Sequence, residues 1–213
     1  DGPKHSLENR TEFNRRPVAS SEARDQPGRS RGFKRPVQES QGFYQIDGHR
    51  LGYQLLSPLP KSDLTLVFLH EGLGCIALWK DFPRQVARST GHQVLIYSRA
   101  GYGFSSACAL PRPRSFMHDE ALDILPRVLD LGNIQRAVLV GHSDGASIAL
   151  INAGGIADQR IQGLVLMAPH VFVEELTLAS IREAGTAYQQ TDPPQRLVRY
   201  HRSEGRRVGG EWM

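Results

Sequence analysis

Apolar and polar positions change period several times along the chain, and each change marks an element. From Phe43 to Leu56 the two kinds alternate on either side of Asp47-Gly48. That pattern predicts a β-hairpin closed by an Asp-Gly turn, with order beginning near Gly42 and Ser57-Pro58-Leu59-Pro60 ending it. Leu64 to Leu69 is apolar at every position but Thr65, which predicts a buried strand. Leu78 to Ser89 carries Trp79, Phe82 and Val86 at helical spacing and stops at Gly91, so it predicts an amphipathic helix. Val94 to Tyr97 predicts the next strand. Met117 to Leu131 predicts a helix with Leu122, Leu125 and Leu129 on one face, closed by Gly132-Asn133.

A fifth strand is expected at Ala137 to Val140, a helix from Ala146 to about Gly154, and a sixth strand at Gly163 to Ala168. Phe172 to His201 is helical in pattern, broken at Asp192-Pro193-Pro194, and there are no internal repeats. Strands alternating with helices imply an α/β class, with a mostly parallel sheet, helices on both faces and an N-terminal hairpin. In such sheets chemistry collects at the carboxyl ends of the strands. Four segments fall there: His70 to Gly74, Ser98 to Ser106, Ser143, and His170.

The segment at the fifth strand carries the sharpest chemistry. Gly141-His142-Ser143-Asp144-Gly145 follows the strand Ala137 to Val140 and opens a helix. A serine between two glycines at a strand-to-helix junction fits the G-x-S-x-G nucleophile elbow. The chain reverses sharply there, and a side chain at either glycine would collide with the turn. The first helical amide then lies beside the Ser143 hydroxyl, where it can stabilise an oxyanion.

Composition narrows the picture. The 213 residues suffice for one domain with a sizeable core. No apolar run reaches the length of a membrane span, and the N-terminus lacks a signal-peptide core, so a cytoplasmic protein with no membrane partner is expected. Cys75 and Cys108 are too few for a disulfide framework and read as free thiols; no Cys/His cluster has zinc spacing, so no metal is expected. The net charge of +4 comes mostly from Arg10, Arg15, Arg16, Arg24, Arg29, Arg31, Lys34 and Arg35. Glu8, Glu12, Glu22, Asp25 and Glu39 interrupt that run, and only Phe13 and Phe33 are aromatic within it, too few for a stacking surface. Residues 1–41 therefore read as a disordered, solvated extension rather than a nucleic-acid tail.

With hairpin, alternating units and elbow in place, residues 43–201 resemble the α/β-hydrolase family. Leu69-His70-Glu71-Gly72-Leu73-Gly74 is similar to its His-Gly oxyanion loop after the third strand. Tyr97 to Ser105 is similar to its D-x-R-G-x-G-x-S segment after the fourth, and Gly141 to Gly145 to its elbow. Glu71 intrudes between His70 and Gly72, and Ser98 stands where many relatives have Asp. The resemblance implies a serine hydrolase cleaving a small ester or related acyl substrate through an acyl-enzyme, without a cofactor. Ser143 would be the nucleophile. The amides of Asp144 and of Gly72 or Leu73 would hold the oxyanion.

The surrounding polar residues divide between chemistry and architecture. His142 reads as a packing residue, His70 as a loop anchor and Arg99 as a loop clamp. The Asp144 side chain reads either as pocket lining or as a helix-N-terminal charge. His118 and Asp119 read as capping residues, and His5, His49 and His92 as surface.

In this family the acid and base follow the serine, usually after the seventh and eighth strands. No such strands are recognisable, and the later histidines are His170 and His201. Either is a candidate base: His170 ends the sixth strand, and His201 follows Glu174, Glu175 and Asp192 in an apparent cap helix. The expected organisation is an α/β-hydrolase core at 42–170, a partial helical cap at 171–202 and an irregular tail at 203–213, with the last two strands missing by truncation or frame shift. The strand Gly163 to Ala168 is then an exposed apolar edge through which the chain self-associates. An alternative is an inactive fragment that at most binds a small molecule or a partner.

Overall fold

The computed structural model describes residues 35–190 and 199–201. A six-stranded sheet with strand order β1-β2-β4-β3-β5-β6 organises them. β1 (Val37–Ile46) and β2 (His49–Pro58) form the expected hairpin, and β2 continues antiparallel onto β4 (Gln93–Tyr97). β3 (Thr65–Leu69), β4, β5 (Ala137–His142) and β6 (Ile161–Met167) run parallel. Asp47 and Gly48, at φ 47° and 77°, make the tight turn that the Asp-Gly pair predicts.

β1 begins at Val37, five residues before the expected start at Gly42. Its first half, Gln38 to Gln41, is exposed and polar, so no apolar alternation reveals it. The ladder onto β2 carries it, from Val37↔Pro58 onward, with Glu39 accepting from Gln54 and Arg84.

Period-2 alternation sends side chains to two cores. Val67, Leu69, Leu95, Tyr97 and Leu139 face one side, against Leu125, Val128 and Leu129 of α3 (Leu125–Leu131) and Ile148 and Ala149 of α4 (Asp144–Gly155). Leu66, Phe68, Val94, Ile96 and Val140 face the other, against Ala87 of α1 (Phe82–Thr90). Helices thus cover both faces.

α1 starts at Phe82 rather than Leu78. Ile76–Trp79 is instead a 3-10 turn, Lys80 has φ 53°, and Pro83 sits in the first turn of α1. Gly91 ends the helix at φ 73°, its amide on the Ala87 carbonyl at 2.9 Å.

The helix expected from Met117 to Leu131 is continuous but not uniform. α2 (Phe116–Asp119) leads into a π turn at Glu120–Ile124 before α3. His118 and Asp119 lie inside the first turn after Ser115, rather than capping it. α4 follows Ser143 directly and is buried along most of its length. α5 (Glu175–Gln190) matches the helical pattern after Phe172. The expected break at Asp192-Pro193-Pro194 and the tail at 203–213 lie outside the described residues, as do His5 and the basic extension up to residue 34. Residues 199–200 form a turn, not a continuation of a helix. β6 stands at the edge of the described sheet, with Val165 48% exposed.

Candidate active site

β5 ends at His142, and Ser143 turns the chain into α4 with φ 52° and ψ −117°. Positive φ is costly for a residue with a side chain, so the surroundings must impose it. The glycines on either side show how. A Cβ on Gly141 would strike the Gly145 carbonyl and, at 2.5 Å, Ala146 Cα; one on Gly145 would strike the carbonyls of Leu69 and His70. The elbow is therefore wedged against the end of β3. The Ser143 amide bonds Met167 O of β6 at 2.8 Å, and the intrahelical bonds of α4 start at Ala146 and Ser147, both onto Ser143 O. The Asp144 amide precedes those bonds, as the first orphan donor of a helix does.

The Ser143 hydroxyl is partly accessible, and its Oγ lies 2.9 Å from His170 Nε2. His170 follows β6 beyond Ala168, whose φ is 49°. Its backbone is held by Ser147, one helical turn after Ser143. The Ser147 hydroxyl donates to His170 O at 3.0 Å and accepts the His170 amide at 3.1 Å. Ser147 lies in the first turn of the helix that Ser143 precedes, and its place four residues after the elbow serine is the signal in the sequence for this residue.

The loop after β3 is built around His70 and Arg99, both buried. His70 Nε2 accepts the Arg99 amide at 3.1 Å, and His70 Nδ1 is 2.7 Å from Glu71 O. The Arg99 guanidinium donates to His70 O at 2.6 Å and to Glu71 O at 3.0 Å. His70 is thus a loop anchor and Arg99 a loop clamp. Burial, reinforced by the Arg99 charge, holds the His70 imidazole well below its usual 6.5. Arg99 also stands 4.0 Å from the Asp144 carboxylate, which is buried against the clamp rather than displayed to solvent.

Glu71, the intruding residue, turns its carboxylate over Gly74 and toward His142 Nδ1 at 3.6 Å. His142 packs edge-on to Trp79 at 6.4 Å between ring centres. Ser98 accepts the Ile76 amide at 3.1 Å, so the segment after β4 buttresses the segment after β3. Cys75 is a buried free thiol, pushed up by burial, and Cys108 is free and partly exposed.

His170 is brought to Ser143, and His201 is not. His201 is buried and engages the backbone of two other loops: Gly103 N–H donates to its Nδ1 at 3.0 Å, and its Nε2 faces Leu73 O at 3.1 Å. Among the described residues no carboxylate pairs with the His170 ring. Nor does any group of three or more His, Cys, Asp and Glu side chains among them form a metal-holding cluster, and no described helix is long and apolar enough to cross a membrane.

Comparison with known proteins places this arrangement. Among solved structures, a carboxylesterase from Nitrososphaera gargenis matches with a TM-score of 0.59 at 19% identity, over 78% of this chain and 60% of its own. A hydrolase from Pseudomonas aeruginosa matches at 0.57 and 21% identity, over 81% and 70%; an alpha/beta hydrolase fold protein from Chitinophaga pinensis at 0.57 and 21%, over 77% and 55%. The chain thus spans little more than half to about two thirds of these proteins, and at such identities the likeness is one of fold. No curated protein matches. The family model for the alpha/beta hydrolase fold matches residues 65–202, from the first residue of β3 to just past His201, which is more than half of the chain. The chain belongs to the α/β-hydrolase fold family.

Proposed function

We propose that the chain carries the nucleophilic half of a serine hydrolase that cleaves a small ester or related acyl compound. One observation carries the reading: a serine held at positive φ between two obligatory glycines, its hydroxyl 2.9 Å from an imidazole nitrogen. His170 Nε2 takes the Ser143 proton as Oγ attacks the acyl carbonyl carbon. The oxyanion is stabilised by the Asp144 amide and by an amide of the loop after β3, from Gly72 or Leu73. The tetrahedral intermediate collapses, His170 returns the proton to the leaving alcohol, and the acyl group stays on Oγ. Water, deprotonated by the same imidazole, then attacks the acyl carbon, and His170 returns that proton to Ser143 Oγ as the acid leaves. The partner in this reading is a small acyl substrate, no cofactor takes part, and β6, at the edge of the described sheet, mediates self-association, which light scattering reads.

Treatment with a fluorophosphonate probe tests the chemistry. Ser143 becomes covalently labelled, Ser143→Ala abolishes the adduct, and His170→Ala slows it by about 10²–10⁴-fold. An unlabelled folded chain overturns the reading.

That no carboxylate pairs with the His170 ring among the described residues favours a second reading, a non-catalytic module that binds a small ligand in the same site. A triad without its acid is about 10⁴-fold slower, so ligand binding without detectable labelling would select it.

A further inference from the structure

His201 belongs to neither the elbow nor the loops it touches, yet it is 2% exposed and both ring nitrogens meet backbone groups. Gly103 N–H can only donate, and the Leu73 carbonyl can only accept. The ring is therefore the tautomer with a bare Nδ1 and a proton on Nε2. His70 is the opposite tautomer: its Nε2 accepts the Arg99 amide, and its Nδ1 donates to Glu71 O. The two imidazoles stand edge-on to the Tyr102 ring, at 5.0 Å and 5.7 Å between centres. Gly103 itself, at φ 54°, has no room for a side chain. A Cβ there would lie 2.8 Å from Ser98 Oγ and 3.2 Å from Cys75 Cβ, so the loops after β3 and β4 already interlock at this point.

We infer that His201 is a positioning residue, a neutral imidazole strapping the loop after β3 to the loop after β4 and so fixing the Gly72–Leu73 backbone opposite Ser143. The inference rests on the serine-hydrolase reading for what the fixed backbone does, but not for the strap itself. The start of that loop is where Gly145 abuts the carbonyls of Leu69 and His70, so a shift of the loop is felt at the elbow. A residue far along the chain thereby reaches back to the oxyanion loop and completes it.

The strap requires the neutral ring. A proton on Nδ1 would set a donor against the Gly103 N–H. It would also add charge near Arg99 and Arg112, whose guanidiniums lie 5.2 Å and 4.7 Å from the Tyr102 ring centre. Among the described residues, the other titratable groups on the loops packed against His201 are His70, Glu71, Tyr102, Cys75 and Cys108.

The test compares His201→Gln with His201→Phe in the full chain. The glutamine amide can accept from Gly103 and donate to Leu73, whereas phenylalanine keeps only the ring contact with Tyr102. Fluorophosphonate labelling of Ser143 should slow about 10- to 100-fold in the Phe variant and stay within about threefold of the unmutated rate in the Gln variant. With p-nitrophenyl acetate the Phe variant should lose kcat with KM little changed. Imidazole ¹⁵N NMR of the unmutated chain should show Nδ1 unprotonated and Nε2 protonated for His201. The Gly103 amide should be protected from hydrogen exchange, and that protection should be lost in the Phe variant.

A folded Phe variant labelled at the unmutated rate, or a proton on Nδ1, overturns the inference. If the Phe variant does not fold, the NMR tautomer and Gly103 protection in the unmutated chain decide it. If the unmutated chain is never labelled, the hydrolase reading fails, while the NMR and exchange results still decide the strap.

Discussion

Ser147 and His170 exchange two hydrogen bonds, the serine hydroxyl donating to the histidine carbonyl at 3.0 Å and accepting its amide at 3.1 Å. The imidazole facing Ser143 is thus aimed by a side chain on the same helix that Ser143 opens. Ser147→Ala should slow fluorophosphonate labelling of Ser143 about 10-fold, because the His170 backbone is released while the ring remains. Ser147→Thr keeps the hydroxyl and should recover most of the rate. A labelling rate unchanged by the alanine would mean that Ser147 aims nothing.

Gly145 and Gly154 belong to one helix but predict opposite outcomes. A Cβ on Gly145 runs into the carbonyls of Leu69 and His70, whereas one on Gly154 meets nothing within 4 Å. Gly145→Ala should destabilise by roughly 3 kcal/mol or more and lower Tm. Gly154→Ala should stabilise by about 0.5–1 kcal/mol, because alanine has less backbone freedom to lose in a helix. Calorimetry of the two variants beside the unmutated chain reads both signs.

Much of this was legible in the residue pattern, and the losses have physical causes. The elbow could be read because its glycines, strand and helix are consecutive in sequence. The roles of His70 and Arg99 followed from their places at strand ends. The pattern offered His170 and His201 as partners for Ser143, but the choice of His170 could not be read. It depends on how the chain leaves β6 through Ala168 at positive φ, and no periodicity encodes that. The first half of β1 was hidden because it is polar and exposed, held by its ladder rather than by burial. The 3-10 turn before α1 was hidden because Trp79 and Phe82 fit a helical spacing that Lys80 breaks.

Glu120 is 8% exposed and accepts the Tyr97 hydroxyl at 2.7 Å, at the start of the π turn. Burial pushes its carboxyl above the ordinary 4.5. The folded protein therefore holds this proton more tightly than the unfolded chain. The resulting stability is fully present below 4.5 and is lost as pH rises through the folded value. Glu120→Gln cannot titrate, so the difference between its urea midpoint and that of the unmutated chain should grow in favour of the variant across that window. Tyr97→Phe, which leaves the buried carboxyl without its donor, should cost about 1–3 kcal/mol.

His70 acts with the opposite sign. Its imidazole is held below 6.5 by burial and by Arg99, so it contributes stability above 6.5 that is lost as pH falls through the folded value. His70→Gln keeps an acceptor for the Arg99 amide and a donor toward Glu71 O, and it does not ionise. Urea midpoints taken from about pH 7.5 downward should therefore fall less steeply in the variant than in the unmutated chain. Equal slopes would mean that His70 is not the group whose protonation loosens the loop.

The Ser143 amide rests on the carbonyl of Met167, the last residue of β6, and His170 departs from that strand three positions later. Ser143 is wedged against β3 through Gly145, but its amide and the chain that carries His170 both register on the end of β6, the last strand of the described sheet. Displacing that strand end would lengthen the 2.9 Å gap between hydroxyl and imidazole, because the histidine follows β6 and the serine follows β5. The hold of β5 on β6 thus sets how long the two side chains stay within reach of each other.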